Sequence, residues 1–527
     1  MTTRATSTPE GASVPAQPRP TVESTTRRHR VRAGTVLAGL AVAWGFALRV
    51  RVLGSPLGAS DSDEAVVALI GSRLVHGHVD VMYWGQNYGG TLESFLAAPV
   101  LAAFGPSVLA GKLVPVAACA AAAVLTWRIG RRTVGEPGAA IGALVFWTTS
   151  AYFVWFSTKI NIYYATLVTA LVVVLLLLKL RDEGPSLAWS TAFGLAAGAA
   201  VWASPQSAYL LVPAALVFSP ALLRHARWVA LSLPAAVVGA SPWLAHSIDT
   251  DWATLRVPPV DVHATYLERV AGFFRQLPIV FGARLPFTQA WLVPRMAWAA
   301  LAAVLVTLVA VALYRRRRGV AIIVALIVGY ALVYAVSPQA GPGGSQPRYL
   351  LLATPLLALL IATVVSQLRW RGLPVLVVPL AVVCVAATIV GLDHMQAGHV
   401  TSIPAAPDVS VPADIGDLVA LLDDNRVDSA YADYWLSYLT TLEARERIIV
   451  SPVFAEVTRF EPYARRVAHS ARPGFIVLSR SRQLAAVEDR IRSLGVPFET
   501  KVRGDFAVIL PARPVAPEDV TGAYRLE

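Results

Sequence analysis

The stretch GTVLAGLAVAWGFALRVRVLGSPLGASDSDEAVVALI, from Gly34 to Ile70, joins two kinds of segment whose order decides the fold. Gly34 to Leu48 holds no ionisable residue, and such a run suits hydrocarbon, where a helix satisfies every backbone polar group internally. Gly54, Ser55, Pro56 and Gly58 then break the helix. The acids Asp61, Asp63 and Glu64 open a second one, so carboxylates stand where an apolar run ends.

Outward from this stretch, ten further apolar runs follow, at roughly 109–127, 137–156, 160–179, 187–204, 207–223, 228–246, 294–313, 320–337, 349–367 and 373–391, each near the ~20 residues that cross a bilayer. With the first they predict an all-α polytopic membrane domain of about eleven transmembrane helices. The composition agrees: 56% of residues are hydrophobic and 15% charged. The net charge of +12 does not point to nucleic acid, because the arginines cluster in short loops between apolar runs. Every second loop is basic: Arg128, Arg131 and Arg132; Lys179 and Arg181; Arg224 and Arg227; Arg315 to Arg318; Arg369 and Arg371. This phase puts the N-terminus in the cytoplasm of a multi-pass plasma-membrane protein. Arg49 and Arg51 are the exception to the pattern.

Three units are expected: a disordered cytoplasmic tail over 1–32, a membrane domain over 33–392 and an extracytoplasmic domain over 393–527. The first run lacks a small-residue cleavage site and reads as a retained helix. In the last unit, helix-like Ile415 to Leu422, Tyr463 to Ser470 and Leu484 to Leu494 alternate with strand-like Ile448 to Val450, Phe475 to Leu478 and Phe506 to Leu510. That alternation predicts a small α/β domain. Cys119 and Cys384 lie in apolar runs and indicate neither a disulfide framework nor a metal cluster.

The centres of the eleven runs carry no ionisable residue, which argues against an ion-coupled transporter or pump. Polar groups gather instead at the outer mouth. Asp61 with Glu64 three residues on has capping-box spacing, and acids in a first helical turn suit the helix dipole. A carboxylate at this boundary could also act as a general base. The stretch that follows reads as amphipathic to His76. His76 and His78 do not share a helix face, so no metal site is expected. Tyr431 to Trp435 places aromatics beside Asp433; it reads as a strand end in a packed core or as a face for sugar stacking.

An acidic cluster after the first membrane helix, GQNYGGTLE from Gly85 to Glu93, and QPRYLL from Gln346 to Leu351 together resemble the GT-C superfamily of membrane glycosyltransferases, which includes protein O-mannosyltransferases and aminoarabinose transferases. The resemblance implies a polyprenyl-phosphate sugar donor and transfer to a cell-envelope glycan, lipid or protein. It also implies Asp63 as the catalytic carboxylate, with Asp61 as fallback and Glu64 beside them. Arg348 and Lys159 are candidates for the departing phosphate, though each could equally be an interfacial anchor. Gln86, Tyr88, Glu93, Gln206, His246 and Tyr349 are candidates for substrate contact, or belong to ordinary interfacial turns and helix ends. No cofactor beyond the lipid-linked donor and no obligatory divalent metal is implied. A lipid or glycan flippase, or a non-catalytic envelope scaffold, are the alternatives; the first calls for broken helices with polar sites at mid-membrane.

Overall fold

A computed structural model describes residues 22–256, 263–286, 288–337, 340–341, 347–370, 377–398, 402–403, 406–410 and 414–525. Among them, seven helices are long and apolar enough to cross a membrane: Val36–Leu53, Val108–Thr133, Tyr163–Glu183, Ala226–Asp249, Arg295–Tyr314, Arg318–Val336 and Pro347–Ser366. The chain is an integral membrane protein. Seven of the eleven expected spans thus appear among the described residues; of the other four runs, two are divided, one is short and the one at 373–391 lies on the helix Val377–Ala397. The run at 137–156 divides into Glu136–Thr148 and Ala151–Phe156. Thr148 and Thr149 donate their hydroxyls back to Leu144 O at 2.7 Å and Val145 O at 2.5 Å, which competes with helix continuation. The run at 207–223 divides after Val217, and Leu187–Ala203 is shorter than a full span.

Three of the loops read as basic, at 128–132, 179–181 and 315–318, lie together at one end. Arg132 reaches Asp182 at 3.1 Å and also Glu183, at the far end of Tyr163–Glu183. A Cβ at Gly319, next to the Arg315–Arg318 cluster, would lie 1.9 Å from Thr133 O. The acidic stretch from Asp61 lies at the opposite helix ends. Two cations lie buried inside the ends of spans. Arg49 stacks 3.7 Å over Trp147 and donates to Gly45 O, Trp147 O and Cys119 Sγ. Lys112 pairs with Glu64.

The first helix runs Val22–Leu53 and so begins within the stretch read as a disordered tail; residues 1–21 of that tail lie outside the described residues. The helix Val377–Ala397 continues past 393, beyond the expected end of the membrane domain. The helix Ser62–Val75, expected to be amphipathic, is buried on all sides from Ala65 to Ser72. It is sandwiched between Leu92–Phe104 and the C-terminal domain, which explains its apolar run Ala65 to Ile70.

The C-terminal domain holds a five-stranded sheet. Ser429–Ala432 pairs in parallel with Ile449–Pro452 and with Gly474–Leu478; Phe506–Pro511 joins antiparallel to Gly474–Leu478 and carries Phe498–Arg503 on its edge. Gly474–Leu478 is buried along its whole length, in keeping with its continuous apolar sequence and helices on the sheet. Helix Tyr434–Glu443 leaves the first of these strands and packs directly on Ser62–Val75. The sheet domain and the first outer loop therefore share one hydrophobic core.

Candidate active site

The turn before Ser62–Val75 distributes its three acids to three different tasks. Asp61 is the N-cap, accepting from Glu64 N at 3.0 Å. Glu64 does not complete a capping box. It turns inward to 2% side-chain exposure and accepts from Lys112 Nζ at 2.8 Å, Lys159 Nζ at 2.8 Å and Ile160 N at 3.1 Å. Only Asp63 faces outward, with its side chain 46% exposed.

Glu64 is therefore not a base within reach of an acceptor: two ammonium groups and a backbone amide already occupy its oxygens. Lys159 is likewise committed. Its Nζ donates to Ala59 O at 2.6 Å, Glu64 Oε2 at 2.8 Å and Asp61 Oδ2 at 3.4 Å, and its side chain is nearly inaccessible. Burial works against its charge, yet Glu64 and Asp61 outweigh burial and hold the ammonium above the usual lysine value. Lys159 cannot face a phosphate from this position. It ties the turn at 157–160 to the base of the acidic helix.

The surroundings of Asp63 come from two parts of the chain. Tyr83 donates to Asp63 Oδ1 at 3.2 Å. Tyr434 also donates to Oδ1, from the first turn of the helix that packs on Ser62–Val75. Arg459 Nη2 lies 3.8 Å from the same oxygen, while its Nε donates to Tyr434 Oη at 3.2 Å. Burial pushes both phenols well above the usual tyrosine range and the Asp63 charge adds to the push, so both hydroxyls keep their protons and act as donors. All three contacts converge on Oδ1, leaving Oδ2 of Asp63 open.

The loop carrying Tyr83 is shaped for this junction. Tyr83 N donates to Gly89 O at 2.7 Å, closing the loop. Gly90 is needed for close packing: a Cβ there would lie 1.9 Å from Trp202 O, while Trp202 Nε1 donates to Val81 O. Gly85 has φ +68°, and a Cβ on it would come within 2.9 Å of Arg459 Cδ and 3.0 Å of Arg459 Cα. Beside it, Trp84 stacks on Phe460 with centroids 4.1 Å apart. The glycines and aromatics of this motif thus seat the C-terminal domain, in addition to shaping a turn.

Arg348 stands at the mouth of the Pro347–Ser366 span, over the rings of Tyr349 at 5.2 Å and Tyr163 at 6.0 Å. The phenols of Tyr163, Tyr349 and Tyr152 surround it, and its Nε is buried without a hydrogen-bond partner. Among the described residues it makes no ion pair with a carboxylate. Gln346, the first residue of its motif, lies outside the described residues. Tyr88 is half-buried on the loop that carries Tyr83. Burial and then Tyr349 raise its phenol, Arg459 and Arg348 oppose them, and Asp63 raises it further, so all four groups act on one hydroxyl.

The remaining residues divide. Gln206 is buried beside the Tyr163 hydroxyl with Oε1 unpartnered, and Tyr349 is buried next to Arg348. Gln86 is half-buried in the loop with Tyr88, and His246 Nε2 lies 3.4 Å from Asn87 Oδ1 on the same loop. Glu93 does not reach the mouth. It is 1% exposed and accepts from Asn161 N at 3.2 Å and Ala165 N at 3.1 Å, capping the helix Tyr163–Glu183 from outside its sequence. Burial pushes its carboxyl up to about 8 against the pull of those backbone donors. Arg459 and Tyr83 went unrecognised in the sequence. Tyr434 lay within the aromatic run noted there, but nothing linked it to an acid 371 positions away.

No family model matches the chain, and no curated protein matches it. Solved structures do. ArnT from Cupriavidus metallidurans in the apo state superposes with a TM-score of 0.65 at 13% identity, covering 91% of this chain and 98% of that one. The same protein bound to undecaprenyl phosphate gives 0.65, at 90% and 98% coverage. The Archaeoglobus fulgidus oligosaccharyltransferase in complex with Zn and sulfate follows at 0.47 and 12% identity, over 83% of this chain and 67% of that one. The chain thus shares the fold of ArnT over nearly the whole of both chains, in keeping with the resemblance carried by the sequence motifs.

Proposed function

We propose that this chain is an inverting glycosyltransferase that moves a sugar from a polyprenyl-phosphate carrier to a hydroxyl acceptor on the outer side of the membrane, with Asp63 as general base and Arg348 at the departing phosphate. One observation carries the reading: at the mouth of the helix bundle an outward carboxylate, Asp63, has one oxygen held by donors and the other open. The acceptor O–H gives its proton to Asp63 Oδ2 as its oxygen bonds to the anomeric carbon. On the opposite face the C–O bond to phosphate breaks, and its electron pair stays on the phosphate oxygen. The charge that gathers there meets a preorganised guanidinium, which is worth most in a site shielded from water. ArnT, whose fold this chain shares, is seen bound to undecaprenyl phosphate, which supports a lipid phosphate as carrier. The acceptor is a cell-envelope glycan, lipid or protein, and no divalent metal is required. The three basic loops brought together at the far helix ends support an outward-facing site and a cytoplasmic N-terminus.

The test is release of polyprenyl phosphate from a panel of undecaprenyl-phosphate sugars incubated with the purified full chain and cell-envelope acceptors. Release by the wild type, and its loss in Asp63→Asn with insertion and unfolding unchanged, is the expected result. Release from none of the panel, or undiminished release by Asp63→Asn, overturns the reading.

A further inference from the structure

We infer that the C-terminal sheet domain supplies two positioning residues of the active site, Tyr434 and Arg459, which hold Asp63 Oδ1 and so aim Oδ2 at the acceptor; the inference rests on Asp63 being the base.

A surface-exposed aspartate samples several rotamers, and a base that must reach one hydroxyl loses rate for each rotamer that points elsewhere. Among the described residues outside the sheet domain, one side-chain donor limits that freedom, Tyr83. The other two contacts come from the sheet domain and are themselves well held. Tyr434 sits in the first turn of Tyr434–Glu443, where Asp433 caps Trp435 N at 2.9 Å. That helix is fixed to the acidic helix by Tyr438 N donating to Ser62 Oγ at 3.1 Å, one residue from Asp63.

Arg459 is fixed through its backbone. Its N–H donates to Tyr438 Oη at 2.6 Å, the neighbouring Phe460 N donates to the same oxygen at 3.1 Å, and Phe460 stacks on Trp84. The absent side chain of Gly85 leaves room for this segment. Tyr438 therefore grips the acidic helix with its backbone and the Arg459 loop with its hydroxyl. With the guanidinium also bonded to Tyr434 Oη, the donors around Oδ1 form one connected network. Connected networks of this kind act as a unit, so the loss of one member releases the carboxylate. The sheet domain is then part of the catalytic unit, and its seam with the loop at 83–90 borders the place where the acceptor meets the base.

The experiment compares Tyr434→Phe, Arg459→Gln, Arg459→Lys and Asp63→Asn in the full chain, using the panel sugar that the wild type turns over. Each of Tyr434→Phe and Arg459→Gln is expected to lower kcat by about 10- to 100-fold, the range for losing a hydrogen bond to a charged group, with donor KM within about twofold of wild type. Arg459→Lys, which keeps the charge, should recover part of the loss. The double variant should fall little below the worse single one, because both act through one oxygen. Wild-type kcat in Tyr434→Phe and Arg459→Gln, beside an inactive Asp63→Asn, refutes the positioning role and leaves the base intact. A rise in donor KM at constant kcat refutes it in favour of substrate binding, and an earlier thermal transition with proportionate loss of folded protein refutes it in favour of a structural contact. Full activity of Asp63→Asn, or no release from any sugar, removes the base and this inference with it.

Discussion

Replacing Lys159 by Met separates a phosphate-binding lysine from a structural one. The ammonium is one of two that neutralise Glu64 and Asp61, the other being Lys112. Without it, two carboxylates face one ammonium, and Ala59 O loses its donor. Removing one member of a buried ion pair costs about 3–5 kcal/mol. The low end applies here, about 3 kcal/mol, because Lys112 still contacts both oxygens of Glu64 and Asp61 remains partly hydrated. Thermal unfolding of the purified chain in detergent, followed by tryptophan fluorescence, should therefore show a markedly lower transition for Lys159→Met. The companion Lys159→Met/Glu64→Gln double variant should not recover the loss, since it also takes from the buried Lys112 the carboxylate it pairs with. Donor KM for the protein that remains folded should stay near wild type. An unchanged transition with a raised donor KM would refute this reasoning and restore Lys159 to the phosphate.

Arg348→Gln should behave in the opposite way. It removes a cation that has no acid partner, so the thermal transition should hold or rise, while polyprenyl phosphate release falls by at least about 100-fold, as for other charge-stabilising groups; a lowered transition with normal release would contradict it. Gly85→Ala places a Cβ 2.9 Å from Arg459 Cδ at a φ of +68°, a strain of about 1–2 kcal/mol before any clash. It should loosen the sheet domain and be read as faster limited proteolysis after residue 398. Glu93 gives a pH signature. Its folded carboxyl is pushed up to about 8, whereas the unfolded group titrates near its ordinary value of 4.5. Between those values the folded state holds a proton that the unfolded state has released, so stability falls as pH rises through that window and is flat beyond it. Glu93→Gln should remove that slope from the pH dependence of the thermal transition.

The parts of this molecule legible in the sequence are those governed by local chemistry. The apolar runs, the Asp61 cap and the alternation of helix and strand after residue 414 each follow from residues within a few positions of one another. The expected strands at Ile448, Phe475 and Phe506 lie on Ile449–Pro452, Gly474–Leu478 and Phe506–Pro511, because buried strands show as unbroken apolar runs. The expected amphipathic helix after Asp61 failed for a related reason. Periodicity reports burial on one side, and a helix covered by two different partners loses that pattern.

The division of labour among the charged side chains is another matter. Asp61, Asp63 and Glu64 sit in one turn, and nothing in their spacing says that Glu64 faces two lysines while Asp63 faces outward. That depends on Lys112 and Lys159, which come from two other segments. Glu93 is of the same kind, since the helix it caps begins some seventy positions later. The glycines of the GQNYGG motif could be recognised as sites of close approach, but not what approaches them. Gly85 admits Arg459, a residue with no marked neighbour in sequence, brought there by the stack of Phe460 on Trp84 and the two amides held by Tyr438. A charge placed by a partner hundreds of positions away leaves no local trace. The half of the Asp63 site contributed by the sheet domain therefore becomes visible only once the two domains are seen docked.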